Sequence, residues 1–159
     1  MEVFVYISLI LLSVILLFVF IPKKHYDKIS FKESYDLTEL PIITFSVNNK
    51  KYNFLLDTGA NYSVINKKVL RSIKHEKSPI KGTIYGLEGN EQPVEYVDIV
   101  LSYKGNEFTE SMQVVDMSAA FGNIKKESGV NLHGILGSLF FQKYKYIIDF
   151  KEFVAYSKK

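Results

Sequence analysis

The feature that most constrains this fold is an apolar, strand-like run that ends in an acid, Phe54-Leu55-Leu56-Asp57. Thr58-Gly59-Ala60 follows the acid, and apolar residues resume at Val64-Ile65. The two leucines predict a buried strand. A carboxylate at the end of a buried strand is costly unless a partner satisfies it or a reaction uses it. Asp57 is therefore the first candidate functional residue.

The residues before Asp57 predict a β-hairpin that carries it. Ile42–Val47 is rich in β-branched residues, Asn48-Asn49-Lys50 is a turn signal, and Lys51–Leu56 is the returning strand. Taken alone, Asp-Thr-Gly is also ordinary turn chemistry at the end of a strand. The apolar residues on both sides of the triplet indicate instead a turn that brings the carboxylate into the interior.

A second short motif, Ile135-Leu136-Gly137, lies about 80 residues after Asp57. On their own these three residues indicate only the end of a strand. A glycine at this position allows another backbone to approach closely. Ser138 is then expected to cap a short helix over Gly137–Tyr146.

Together, the two motifs resemble those of a known family. Asp57-Thr58-Gly59-Ala60, followed by Ser63-Val64-Ile65, resembles the catalytic loop of the retropepsin-type aspartic proteases. Ile135-Leu136-Gly137 before a helix resembles that family's second signature, which implies that this passage packs beneath the acid loop. These enzymes are single-lobe relatives of pepsin that act as homodimers, and the resemblance covers about residues 41–156. Viral members commonly place an arginine after the second motif, where this chain has Ser138.

The resemblance implies a mostly β fold, a single-lobe acid-protease barrel with short helices. It assigns catalysis to Asp57 and support of the active site to Thr58, Gly59, Ala60 and Ile135-Leu136-Gly137. In these roles Thr58 would join two acid loops across the dimer, and Gly59 would donate its N–H to the carboxylate. Ala60 would line the substrate cleft.

The chain contains no second Asp-Thr-Gly or Asp-Ser-Gly. Aspartic protease chemistry needs two carboxylates that share a proton, one accepting a proton from water and one donating to the scissile carbonyl. The resemblance therefore implies a homodimer in which another copy supplies the second Asp57. The expected partner is a peptide or protein substrate, and this chemistry needs no metal and no cofactor. Asp98, Asp116 and Asp149 are expected to be structural or exposed.

A glycine-rich stretch from Lys81 to Pro93 predicts a β-hairpin. From its residues alone it is an ordinary surface hairpin. Under the resemblance it is the flap that closes over a peptide, with Tyr85, Gly86 and Leu87 as its substrate contacts.

The remaining segments give simpler predictions. Asn66–Lys74 is expected to form a short helix capped by Asn66, and Val94–Tyr103 and Glu107–Asp116 to form paired strands. Met117–Leu132 is expected to be a surface loop because polar residues interrupt it. A closing hairpin is predicted around Lys151-Glu152.

Composition excludes several classes of function. Arg71 is the only arginine among 20 basic residues, and the lysines are spread among acids, which argues against a nucleic-acid partner. The chain has no cysteine and therefore no disulfide, thiol nucleophile or cysteine-based metal site.

Nineteen uncharged residues, Val3–Ile21, precede this domain. As a helix they would span roughly 28 Å, close to the hydrocarbon thickness of a bilayer. Met1-Glu2 is not a basic leader and no small-x-small cleavage site follows, so a retained transmembrane helix is favoured over a signal peptide. Lys23, Lys24 and Lys28 favour a cytoplasmic domain, although whole domains translocate largely regardless of charge.

The predicted organisation is thus a transmembrane anchor at 1–21, a juxtamembrane linker at 22–40 and a protease domain at 41–159. Two other interpretations remain open. The same fold could bind peptides without cleaving them, or Asp-Thr-Gly could be an accidental turn in an unrelated β domain. In the last case Asp57 and Gly137 would lie far apart.

Overall fold

A tight hairpin presents the acid, as predicted. The computed structural model describes residues 27–85 and 91–157. In it Ile42–Val47 pairs antiparallel with Lys50–Leu56, and Asn48 and Asn49 form the turn with φ of 48° and 64°. Asparagine tolerates this left-handed conformation better than most residues. From Ile43 to Val47, buried residues alternate with more exposed ones, which fixes the pairing register.

Ten strands and three α-helices occur in the described residues. The strands are β1 (Asp27–Ser30), β2 (Ile42–Val47), β3 (Lys50–Leu56), β4 (Val64–Asn66), β5 (Glu76–Tyr85), β6 (Glu91–Tyr103), β7 (Asn106–Val115), β8 (Gly134–Leu136), β9 (Tyr146–Asp149) and β10 (Val154–Ser157). The helices are α1 (Lys32–Thr38), α2 (Ser118–Ser128) and α3 (Ser138–Tyr144). A single 3-10 turn covers Lys67–Val69.

Seven strands form one sheet in the order β2-β3-β8-β4-β7-β6-β5. An additional pairing of Ser46 in β2 with Ser102 in β6 curls this sheet onto itself. A second sheet has the order β1-β10-β9. The predicted mostly β, single-lobe barrel with short helices is confirmed.

The short strand β8 lies between β3 and β4. It runs parallel to β3, pairing Leu56 with Leu136, and antiparallel to β4, pairing Val64 with Ile135. Parallel strands end at the same edge of a sheet. Asp57 and Gly137 therefore leave the sheet side by side, and the loop between β3 and β4 crosses the end of β8.

Aromatic side chains fill the barrel. Phe45 contacts Phe54 and Phe108 edge-on at centroid distances of 6.0 and 5.8 Å, and Phe108 contacts Phe140 at 5.7 Å. All four rings are buried. Such edge-to-face contacts add to the free energy gained from apolar burial. The core thus joins the hairpin that carries Asp57 to β7 and α3.

The linker predicted at 22–40, in which the sequence allowed a short strand, carries both a strand and a helix in the part that the structure describes. β1 pairs with β10 along its length, and α1 follows it. Phe31 anchors the segment, since its ring is buried against Phe150 and Phe153 at 5.6 and 6.2 Å. The helix was not predicted because none of its residues is buried, so its sequence shows no hydrophobic period.

Two other predictions need correction. Most of Met117–Leu132, expected to be a loop, is helix α2. Its sequence signals were Asp116, which accepts the Ser118 N–H at 3.0 Å, and Gly129, which ends the helix with φ of 76°. The helix expected over Asn66–Lys74 is only a 3-10 turn, although Asn66 does cap it.

The predicted membrane anchor at 1–21 lies outside the described residues. Among the helices of residues 27–85 and 91–157, none is both long and apolar enough to cross a membrane.

Replacing Phe31 tests whether the β1–α1 segment belongs to the domain. We expect Phe31→Ala to lower the free energy of unfolding by about 3–5 kcal/mol, because it leaves a cavity among packed rings. Leu37→Ala is the control, since Leu37 lies on the same segment but is 64% exposed. It should change stability by less than about 0.5 kcal/mol in urea unfolding followed by circular dichroism. Equal effects would contradict the packing role of Phe31.

Candidate active site

The backbone of Asp57 is fixed by the strand beside it. Its N–H donates to the Leu136 carbonyl at 3.0 Å, which extends the β3–β8 pairing by one bond. The Gly59 N–H donates to Asp57 Oδ1 at 2.9 Å, which is the bond that the family resemblance implied. The carboxylate is thus held at a half-buried position by a backbone donor of its own loop.

The chain leaving β8 passes directly beneath this loop. The Ser138 N–H donates to the Ala60 carbonyl at 2.7 Å, and the Leu139 N–H donates to the Asn61 carbonyl at 3.2 Å. A Cβ at Gly137 would lie 2.6 Å from the Tyr62 carbonyl oxygen, closer than real Cβ contacts come. The predicted packing of Ile135-Leu136-Gly137 under the acid loop is therefore observed, and the accidental-turn interpretation is wrong.

Ser138 does not cap the following helix, contrary to expectation. Gly137 is the N-cap residue and no side chain caps α3. The Ser138 hydroxyl instead lies 3.4 Å from both the carbonyl and the side-chain oxygen of Asn61. It faces the acid loop because Ser138 is already the first helical residue.

The tip of the acid loop is open to solvent. Thr58 and Gly59 are exposed, and Ala60 is half-buried. The buried residues Leu56 and Ile65 anchor its two ends. A rigid base with an exposed tip leaves the face beside Asp57 available to another molecule.

A buried polar pair beneath the loop was missed from the sequence. Ser63, 1% exposed, donates its hydroxyl hydrogen to Glu110 Oε1 at 2.7 Å and accepts the Gly137 N–H at 3.2 Å. Lys143 Nζ lies 3.6 Å from Glu110 Oε2. Burial raises the pKa of Glu110, while its bond from Ser63 and the charge of Lys143 act in the opposite direction. The available signal was an acid at an inward position of β7, between Phe108 and Met112.

Aromatic residues link the acid loop to the neighbouring strands. The Gln113 side chain donates to the Tyr96 hydroxyl at 2.7 Å, and the Gln113 N–H donates to the Ser63 carbonyl at 2.9 Å. The Tyr96 ring in turn meets Tyr62 edge-on at 6.2 Å. Tyr62 belongs to the acid loop, is 44% exposed and packs against Tyr96, which Gln113 holds in place.

The predicted glycine-rich hairpin is formed by β5 and β6. Their pairing runs from Glu76 opposite Asp98 to Tyr85 opposite Glu91, with an irregularity between Lys77 and Lys81. Tyr85 is the last residue of β5. The other two predicted flap contacts, Gly86 and Leu87, lie outside the described residues.

The other acids singled out from the sequence make local hydrogen bonds. Asp98 accepts from the Ser111 hydroxyl at 2.5 Å, and Asp149 accepts the N–H groups of the turn at Lys151 and Glu152. Asp116 accepts at the start of α2. Within the described residues, no group of three or more histidine, aspartate or glutamate side chains is arranged to hold a metal ion.

His133, which precedes β8, joins that strand to the hairpin. Its Nδ1 accepts the Asn53 N–H at 2.9 Å, and its ring meets Tyr52 edge-on at 5.2 Å. Burial lowers the pKa of His133, which favours the neutral ring that this bond requires. His133 therefore holds β3 at its central residue, Asn53.

A family model described as aspartyl protease matches residues 43–140, which include both motifs. This chain belongs to the aspartyl protease family. A solved structure of the EIAV protease complexed with the inhibitor HBY-793 aligns with 69% of this chain and 91% of that chain. The two share 22% sequence identity, with a TM-score of 0.46. No curated protein sequence matches this chain.

The close approach at Gly137 gives a test of the loop's support in this aspartyl protease. We expect Gly137→Ala to lower the free energy of unfolding by about 2–3 kcal/mol, because the new methyl group meets backbone atoms that cannot rotate away. Gly122→Ala in α2 is the control, since a Cβ there meets no atom within 4 Å. It should be neutral or stabilise by up to about 1 kcal/mol. Similar unfolding curves for the two variants would contradict the contact.

Proposed function

We propose that this chain is a membrane-anchored aspartic endopeptidase whose active site forms when two copies pair. The observation that carries the proposal is the Asp57 loop, clamped onto Leu136-Gly137 in a member of the aspartyl protease family. Since the chain has no second Asp-Thr-Gly or Asp-Ser-Gly, the second acid comes from another copy. The exposed tip at Thr58 and Gly59 supports this pairing.

In the proposed reaction the two Asp57 carboxylates share one proton. Two carboxyl groups close enough to share a proton cannot both be ionised, because their negative charges repel. The pair therefore titrates as a unit. The ionised acid removes a proton from water as the water oxygen attacks the scissile carbonyl, and the protonated acid donates to the carbonyl oxygen, which gives a tetrahedral diol. The first acid then donates its proton to the amide nitrogen as the C–N bond breaks, and the second acid takes a proton from a diol hydroxyl, so that the pair again holds one proton. The Gly59 N–H holds the carboxylate in place, and no metal is needed.

The remaining site residues have supporting roles in this proposal. Thr58 contacts the second acid loop, Ala60 lines the cleft, and Ile135-Leu136-Gly137 supports the loop from below. Tyr85, Gly86 and Leu87 form the flap that covers the peptide. The hairpin geometry of β5 and β6 supports this last assignment.

The apolar run Val3–Ile21 is proposed as the membrane anchor. It ends only six residues before β1, so it would hold the catalytic domain close to the bilayer. Confinement to a plane raises the effective concentration of one copy for another and thereby favours the dimer. Lys23, Lys24 and Lys28 favour placing the domain in the cytoplasm.

Replacing Asp57 tests the reaction and the shared dyad together. The full chain in detergent micelles should cleave a peptide library, and Asp57→Asn should slow cleavage by about 100-fold or more. Wild-type chain co-produced with a tenfold excess of Asp57→Asn should retain roughly a tenth of its activity, because random pairing leaves few intact dyads. Asp36, an exposed acid on α1, provides the control. Asp36→Asn should neither slow cleavage nor lower the activity of wild-type chain in the mixture.

Undiminished cleavage by Asp57→Asn would contradict the proposed reaction. An unaffected mixture would contradict the dyad. A wild-type chain that binds peptides and leaves them intact would instead support a non-catalytic peptide-binding domain.

The absence of cysteine allows a direct test of the membrane side. Lys126 is exposed on α2, so Lys126→Cys provides a single accessible thiol. A cytoplasmic domain should react with a membrane-impermeant maleimide only after the cells are permeabilised. Labelling in intact cells would place the domain outside, and the cysteine-free chain controls for background.

A further inference from the structure

Glu110 is a buried acid that the proposed reaction does not use. It is 5% exposed on β7, where its neighbours at inward positions are the apolar residues Phe108 and Met112. Burying a carboxylate is costly, so the position calls for an explanation. Its strongest contact is with Ser63, the last loop residue between Asp57 and β4.

Ser63 has a single hydroxyl hydrogen, and Glu110 determines where it points. The hydrogen is donated to Glu110 Oε1 at 2.7 Å, which leaves the lone pairs of the oxygen to accept the Gly137 N–H at 3.2 Å. Without this acceptor the hydroxyl could rotate. Glu110 thus selects the orientation in which Ser63 holds Gly137.

The held N–H belongs to the same peptide group that holds the candidate catalytic acid. The Leu136 carbonyl accepts the Asp57 N–H at 3.0 Å, and the Gly137 N–H is the other polar atom of that peptide plane. One plane is therefore fixed by Asp57 on one side and by Ser63 on the other. Any rotation of this plane would shift both bonds.

The charge of Glu110 is balanced from the surface. Lys143 on α3 lies 3.6 Å from Oε2 and is 52% exposed, while the glutamate side chain is 7% exposed. Lys143 and the Tyr144 hydroxyl also donate to the Thr109 carbonyl. The two carboxylate oxygens of Glu110 thus have different partners, Lys143 at Oε2 and Ser63 at Oε1.

We propose that Glu110 is a positioning residue for Asp57, acting through Ser63 and the Leu136–Gly137 peptide. This inference rests on the proposed endopeptidase activity. Glu110 would hold the Asp57 backbone in the position where the carboxylate can share a proton with the second Asp57. This matters because small displacements of a catalytic group slow the reaction strongly.

The conservative variant separates positioning from general damage. In the full chain in micelles, Ser63→Ala and Glu110→Ala should each lower kcat about 10-fold to 100-fold and leave KM within about twofold. Glu110→Gln should restore most of kcat, because its amide oxygen still accepts the serine hydrogen. The double Ser63→Ala, Glu110→Ala variant should be no slower than either single one, since both break the same path.

Ser111→Ala is the matched control. It removes a hydroxyl that donates to the carboxylate of Asp98, from the residue next to Glu110 on the same strand. It should leave kcat unchanged. Unchanged kcat in Ser63→Ala, or a Glu110→Gln variant as slow as Glu110→Ala, would overturn the proposal. Ser63→Ala keeps the test decisive if Glu110→Ala does not fold.

Amide hydrogen exchange tests the same path without activity. In Ser63→Ala and Glu110→Ala, the amides of segment Gly134–Phe140 should exchange faster than in the wild type, with segment Ser118–Ser128 as the internal reference. In Glu110→Gln and Ser111→Ala, they should exchange at the wild-type rate. Equal exchange in all variants would overturn the positioning role even if the enzyme cleaves peptides. If the variants show the expected exchange but the wild-type chain cleaves no peptide, the result would contradict the proposed function and leave the positioning of the loop by Glu110 intact.

Discussion

The candidate site depends on the insertion of β8 between β3 and β4. The parallel pairing of Leu56 with Leu136 brings two chain segments to the same sheet edge, although they are far apart in sequence. The loop from Asp57 to Ser63 then has to cross the end of β8. Because that crossing brings backbone against backbone, position 137 admits no side chain. The acid loop is therefore shaped by sheet topology, with its own hydrogen bonds adding the final alignment.

Two carboxylates near this crossing have opposite surroundings. Glu110 is enclosed, with its charge met by Lys143 and its hydrogen bond coming from Ser63. Asp57 is half-exposed, and its side chain accepts from the Gly59 N–H. A buried carboxylate with satisfied partners rigidifies its surroundings, whereas an accessible one can exchange protons. This contrast is why a structural role suits Glu110 and a chemical role is proposed for Asp57.

The sequence was sufficient for the elements with strong local signals. The Asn48-Asn49 turn and the β2–β3 hairpin were predicted, because β-branched runs and turn residues specify them locally. The passage of Leu136-Gly137 under the acid loop was predicted only through the family resemblance, since it joins segments about 80 residues apart. The β1–α1 segment was missed, since its main anchor, Phe31, packs on rings more than a hundred residues away. Glu110 was missed for a similar reason, because its partner Ser63 becomes a neighbour only when the sheet forms.

The same geometry distinguishes the contacts that one chain makes by itself from those that the proposed second copy would supply. Within one chain, Leu136, Gly59 and the Ser63–Glu110 pair already hold the Asp57 backbone and side chain. Pairing of two copies would therefore not have to order this loop, and the entropy cost of association would fall mainly on bringing the copies together. β10 is hydrogen-bonded on both edges, by β1 and β9, so a second copy can extend that sheet only at β1 or β9. The proposed membrane anchor would then have a physical purpose, because confinement to a plane would reduce the entropy cost of bringing two copies together.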